Sequence, residues 1–192
     1  MTRKVAPTPK GYRTVTPQLV VRDAEAALSY YEELFGASVL SRLYAEDSQT
    51  VLQAELKIGN SIVRVMDEMP AFGILSPAGF GGTAVGMHLY LPNTDEVWER
   101  AVALGAGILV PLADAPWGER YGKFLDPFGH AWSVSRRIAP SAVIPETDDA
   151  EPSIASISGF SVHEPRADSV TPTIEQAMSR HAAVSGTASN AA

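Results

Sequence analysis

The sequence predicts an α+β domain built from two tandem units, each a strand, a helix and three further strands (βαβββ). Three observations predict it. The chain nearly repeats itself: Gln18 falls on His88 and Asp23 on Asn93 at an offset of 70 residues, and Phe35-Gly36-Ala37 falls on Leu104-Gly105-Ala106 after one deletion. Each copy opens with a β-rich run followed by apolar residues at helical spacing and a glycine. Each copy then continues into short runs broken by turn signals, Gly59-Asn60 in the first and Gly129-His130 in the second. A duplicated unit implies a pseudo-twofold domain, and a cavity between the halves is the natural place for function.

Taken in order, residues 1–13 are rich in proline and basic residues and read as an N-terminal arm. Residues 14–21 form the first strand. Asp23 is a good N-cap, Ala27, Leu28, Tyr31, Leu34 and Phe35 share one helical face, and Gly36 ends the helix. Strands follow at 37–43, 50–58 and 61–66, the last two joined by a tight Gly59-Asn60 hairpin. Residues 67–83, rich in Met, Pro and Gly, link the copies. Their apolar side chains suit either a mobile lid or a dimer contact. The second copy repeats the plan: strand 86–91, helix 94–104 capped from Asn93 or Thr94, strand 108–111, a loop at 115–122, and strands 121–125 and 131–135. The domain thus spans 14–138, with modules at 14–66 and 84–138. Residues 139–192, rich in Pro, Ser, Asp and Glu, read as an acidic, largely disordered tail with one short helix at 173–181.

Composition narrows the function. An apolar content of 45% is enough for a packed core. The absence of cysteine excludes disulfides, thiolate catalysis and Cys-based zinc sites. A net charge of −7 argues against nucleic acid as a partner. That charge sits mostly in the tail, where residues 140–192 carry seven acids against two bases. No run approaches 18 apolar residues, and the basic start lacks an apolar stretch behind it. The expectation is therefore a cytoplasmic protein with no membrane partner.

Five stretches together carry a family resemblance: residues 11–23, Tyr30-Tyr-Glu-Glu-Leu-Phe-Gly36, residues 54–59, Trp117-Gly-Glu-Arg-Tyr-Gly122 and Asp126-Pro-Phe-Gly-His-Ala-Trp132. In this combination the chain resembles the vicinal-oxygen-chelate superfamily of glyoxalase I, bleomycin-resistance proteins and extradiol dioxygenases, most closely its PhnB-like branch. The resemblance covers about residues 11–138. It implies two βαβββ modules forming a cupped, mixed, mostly antiparallel sheet around a ligand site, and it implies a homodimer.

Strand alternation then assigns faces independently of the family. Leu19, Val21, Leu89, Leu91, Trp132 and Val134 belong under the helices. Thr16, Gln18, Val51, Gln53 and Glu55 face the cup from module one. Gly86, His88, Tyr90, Tyr121, Lys123 and Ser133 face it from module two, with Trp117 at the rim. So many polar side chains on one surface suggest a hydrated pocket for a ligand with a polar part.

The resemblance implies metal ligands at the positions of Thr16, Glu55, Gly86 and Ser133. Only Glu55 is an ordinary ligand there, so no cofactor is expected; a shifted divalent-metal set of Gln18, Glu55 and His88 is the alternative. Other residues keep two readings. Glu55 is either a general base or an ion-pair partner of Lys123. His88 is either an acid–base group or a strand histidine bonded to Gln18 or Tyr90. Trp117 and Tyr121 either stack on a flat ligand or anchor the loop. His130, in a hairpin turn, reads as structural. The expected function is metal-free binding of a small aromatic or amphipathic molecule between the modules. The alternative is a lyase, isomerase or dioxygenase-like enzyme using Glu55 and His88. A third reading gives the main role to the acidic tail as an interaction segment.

Overall fold

The protein was described from a computed structural model, which defines residues 6–46 and 49–138. The expected tail at 139–192 and its helix at 173–181 lie outside the described residues.

Module one runs β1 (Gln18–Val21), α1 (Ala24–Phe35), β2 (Ser38–Tyr44), β3 (Val51–Ile58) and β4 (Ser61–Asp67). The linker carries a 3-10 turn at Pro70–Phe72 and a short helix α2 (Pro77–Phe80). Module two runs β5 (Gly86–Tyr90), α3 (Thr94–Ala103), β6 (Gly107–Ala115), β7 (Glu119–Leu125) and β8 (Ala131–Arg137). The two sheets have the same order, β1-β4-β3-β2 and β5-β8-β7-β6. In each, the first strand pairs in parallel with the last and the other pairs are antiparallel.

Local chemistry explains the helix. The Asp23 side chain accepts from the Ala26 N–H at 2.9 Å, and Gly36 takes φ +63° where a side chain would be strained. Between these ends Ala24, Ala27, Leu28, Tyr31 and Leu34 form the buried stripe. That stripe packs with Leu19, Val21, Leu56 and Val65 of module one and with Val97, Phe124, Trp132 and Val134 of module two in one continuous core. Trp132 meets both Phe35 and Tyr31, with ring centroids 4.9 and 5.4 Å apart. Truncating such a side chain costs about 3–5 kcal/mol.

Polar ties also cross between modules. Tyr31 Oη donates to Asp126 Oδ2 at 2.6 Å, Arg100 Nε donates to the Leu34 carbonyl at 3.0 Å, and His130 Nε2 lies 3.1 Å from the Val20 carbonyl. His130 is therefore a structural residue. Asp126 organises its own turn as well, accepting from the Phe128 and His130 N–H groups and from Trp132 Nε1.

Sequence expectations are corrected at two places. Residues 115–122 are mostly strand: β6 runs on to Ala115 and β7 starts at Glu119, leaving a three-residue loop. The long edge strand β6 is largely exposed and shows no apolar alternation to announce it. Gly122 lies within β7, as the expected strand 121–125 has it, and Trp98 of α3 packs there; a Cβ at Gly122 would sit 2.5 Å from that ring. Val51 does not face the cup. The β2–β3 register shifts between Leu43 and Tyr44, and Val51 is fully buried in the core. Among the described residues no helix is long and apolar enough to cross a membrane.

Candidate functional site

The faces turned away from the helices carry two groups of side chains, one per module. In module one, Gln18, Arg64 and Glu55 stand side by side across β1, β4 and β3. Gln53 lies two residues from Glu55 on β3, and Thr16 precedes β1. Gln18 Nε2 reaches Met66 Sδ at 3.0 Å, and Thr16 Oγ1 donates to the Arg13 carbonyl at 3.2 Å. The arm lies over this face. Gly11 approaches Ile62, and the Tyr12 hydroxyl lies beside Glu55 and Arg64. Burial raises the Tyr12 pKa, and the nearby Glu55 carboxylate raises it further.

In module two, His88, Ser133 and Lys123 share one cross-strand row, and Tyr90, Ser135 and Tyr121 the next. His88 Nδ1 is 2.8 Å from Ser133 Oγ. The His88 ring stacks on Tyr121 at 6.1 Å and 21° and meets the edge of Tyr90 at 4.7 Å. Trp117 meets Tyr121 edge-on at 5.8 Å. Four rings therefore form one wall, with Tyr90 63% and Trp117 50% exposed.

Glu119 holds that wall. Its carboxylate accepts from Tyr90 Oη at 2.8 Å, Ser135 Oγ at 2.9 Å and Trp117 Nε1 at 3.1 Å. The Tyr90 bond, then the Ser135 bond, hold its carboxyl below the usual glutamate range. The same bond raises the Tyr90 pKa. Sequence reasoning missed Glu119 because it started the strand at Tyr121. Carrying the alternation back two residues would have placed Glu119 beside Tyr121. Arg64 and Tyr12 were missed because β4 was given no facing and the arm was left unplaced.

Several expected contacts are replaced by others. No ion pair joins Glu55 to Lys123 among the described residues; the neighbours of Glu55 are Arg64 and Tyr12. His88 bonds to Ser133 rather than to Gln18 or Tyr90. No hydrogen bond or ring contact among the described residues joins the module-one group to the module-two group. A third feature, a pocket of about 720 Å³, opens between β1, β5 and the linker, where Val20, Phe80, Val85 and Met87 line it.

The positions that would coordinate a divalent ion do not fit one. Ser133 is engaged with His88, Thr16 with a backbone carbonyl, and Gly86 has no side chain. Gln18 and Glu55 share one group while His88 stands in the other. Among the described residues no three His, Asp or Glu side chains converge as a metal set requires.

Residues 13–134 match the family model of the Glyoxalase/Bleomycin resistance protein/Dioxygenase superfamily. The chain belongs to that superfamily. It is 35% identical over 127 residues to an uncharacterized protein of Mycobacterium bovis, an alignment covering 65% of this chain and 83% of the relative. The crystal structure of TioX from Micromonospora sp. ML1 is similar, with 30% identity and a TM-score of 0.52, over 67% of this chain and 99% of TioX. The PhnB protein of Bacillus cereus shares the fold at 20% identity and a TM-score of 0.50, over 65% of this chain and 99% of its own. This superfamily member keeps the paired βαβββ plan.

Proposed function

We propose that this member of the superfamily binds a small, flat aromatic or amphipathic molecule, and that it does so without a resident divalent metal. The observation that carries the reading is the exposed wall of His88, Tyr90, Trp117 and Tyr121, held from one side by Glu119. Solvent-facing rings in edge and stacked arrangements suit a planar guest, and each good ring contact contributes about 0.5–1.5 kcal/mol beyond area. Lys123 and Ser133 add polar handles at the base. Gln18, Gln53, Glu55 and Thr16 supply the polar counterpart on module one.

A homodimer completes this reading. Leu40 and Leu43 on the edge strand β2, and Ile108 and Leu109 on the edge strand β6, are exposed. Apolar edges of this kind suit a second copy of the chain.

The test is calorimetric titration of 2-naphthol, as a flat amphipathic probe, into the wild type, Trp117→Ala and Tyr121→Ala. Binding weakened about three- to tenfold by each variant supports the reading. Equal affinities in all three would sink it. Light scattering on the wild type and Leu43→Glu tests the dimer: the wild type should be dimeric and the variant monomeric.

A second reading, a lyase, isomerase or dioxygenase-like enzyme using Glu55 and His88, draws on one feature. His88 Nδ1 is held by Ser133, which orients the ring as a catalytic imidazole needs. A product-forming activity abolished by both His88→Ala and Glu55→Gln, with the fold intact, would favour it.

A further inference from the structure

The proline-rich arm and the module-one face enclose a cavity of about 330 Å³, separate from the aromatic wall of module two. Its lining includes Tyr12, Arg13, Thr16, Gln18 and Arg64. Arg13 and Arg64 bring two guanidinium groups to that lining, while Glu55, beside Arg64 and Tyr12, stands outside it. The donors are also left underused. The Tyr12 hydroxyl and Arg64 Nε are both buried without a well-formed hydrogen bond, although Tyr12 lies close to Glu55 and Arg64. Gln18 spends its amide on the Met66 thioether, a weak acceptor. Buried donors lacking acceptors destabilise a fold unless something else accepts from them.

We propose that this cavity is an oxyanion subsite, taking a carboxylate or phosphate group against Arg64, Tyr12 and Gln18, with Arg13 closing it from the arm. The chemistry follows from the donor set. A guanidinium presents a planar fork that matches two oxygens of either group. A tyrosine hydroxyl and a side-chain amide can donate to the remaining oxygens. The cavity has room for such a group with a small substituent. The arm becomes part of the binding surface, because Tyr12 and Arg13 come from it. The inference names the ligand group taken by the module-one face that the proposed function already uses through Gln18 and Thr16, and to that extent rests on that reading; phosphate, which has no ring for the aromatic wall, lets the two fail separately.

The experiment is thermal melting of the full chain titrated with sodium phosphate and, separately, with sodium acetate, each against sodium chloride at matched ionic strength. The expected result is a saturable rise in Tm with one or both oxyanions beyond the chloride control; the stronger of the two identifies the phosphate or carboxylate class. Arg64→Met should weaken the apparent affinity at least tenfold. Tyr12→Phe, which removes a hydroxyl without a well-formed hydrogen bond, should fold as well as the wild type and bind several-fold more weakly. Arg13→Gln, at an exposed side chain, provides the arm control and should also weaken binding. Val102→Ala, on the exposed face of α3, should leave the oxyanion response unchanged. An equal response in wild type, Tyr12→Phe and Arg13→Gln, or no saturable response in the wild type, overturns the proposal.

Discussion

Tyr31 Oη donates a 2.6 Å hydrogen bond to Asp126 Oδ2, tying the helix of module one to the β7–β8 turn of module two across 95 residues of sequence. Both partners are buried, and the same carboxylate oxygen also accepts from Trp132 Nε1. Burial, and then Asp126, push the Tyr31 pKa well above its ordinary value, so the hydroxyl stays a donor. The bond is a means by which two small modules fold as one domain.

Removing that bond should therefore be felt. Tyr31→Phe is expected to cost about 1–3 kcal/mol in urea unfolding, since it strips a donor from a buried acceptor. Asp126→Ala should cost more, because it orphans Tyr31, Trp132 and two backbone N–H groups together. A double-mutant cycle of Tyr31→Phe with Trp132→Phe should show coupling of about 0.5 kcal/mol or more. Strict additivity would mean the shared carboxylate is not the link.

Gly122 offers a steric test. Its missing Cβ leaves room for the Trp98 ring, which would otherwise lie 2.5 Å away, with the Leu112 backbone 3.1 Å on the other side. Gly122→Ala should destabilise by about 1–3 kcal/mol through overpacking. In a Trp98→Leu background the same substitution should cost clearly less. An unchanged cost would place the strain in the backbone instead.

Much of this architecture is legible in the sequence, for physical reasons visible at particular residues. The helix of module one shows itself because Asp23, its apolar stripe and Gly36 are all local signals. The duplicated plan shows itself because both modules bury the same strand positions, such as Leu56 and Val65 in one and Phe124 and Val134 in the other. What stays hidden depends on partners distant in sequence. The need for glycine at 122 shows only once Trp98 is seen beside it, and Val51 changes face through a bulge that no alternation rule marks. The module-two wall is half legible. His88, Tyr90 and Tyr121 follow from alternation, while Glu119 needs the true start of β7. The contacts of Glu55 are not legible, because Tyr12 comes from an arm whose composition suggests no docking.

Metal content gives a further prediction. Ser133 bonds to His88, Thr16 bonds to the backbone, and Gly86 offers no donor, so Glu55 is left without companions. Protein purified without chelators and dialysed should contain less than a tenth of an equivalent of zinc, nickel, manganese or iron by mass spectrometry. One equivalent surviving dialysis would falsify the metal-free reading and point to ligands brought together by a second copy.

The acid limit of the aromatic wall follows from Glu119. Its folded pKa lies below the ordinary 4.5, because Tyr90, Ser135 and Trp117 donate to the ionised form. A depressed carboxyl contributes order that is fully present above the unfolded value and is lost as pH falls through the folded one. The wall should therefore be intact at neutral pH and through pH 5, and should loosen only as the medium becomes more acid than the usual glutamate range. Trp117 reports this directly, since its indole N–H bonds to that carboxylate. In a Trp98→Phe variant, which removes one competing indole, fluorescence should stay flat from pH 8 to 5 and change below about pH 4.5. Asp95, held low by Arg120 on the other side of the module, titrates in the same acid range, so Glu119→Gln is the control. The glutamine variant should lose most of the acid transition at Trp117 and keep the general acid unfolding seen by circular dichroism. An identical Trp117 transition in the variant would show that acid unfolding of the module, rather than release by Glu119, moves the indole.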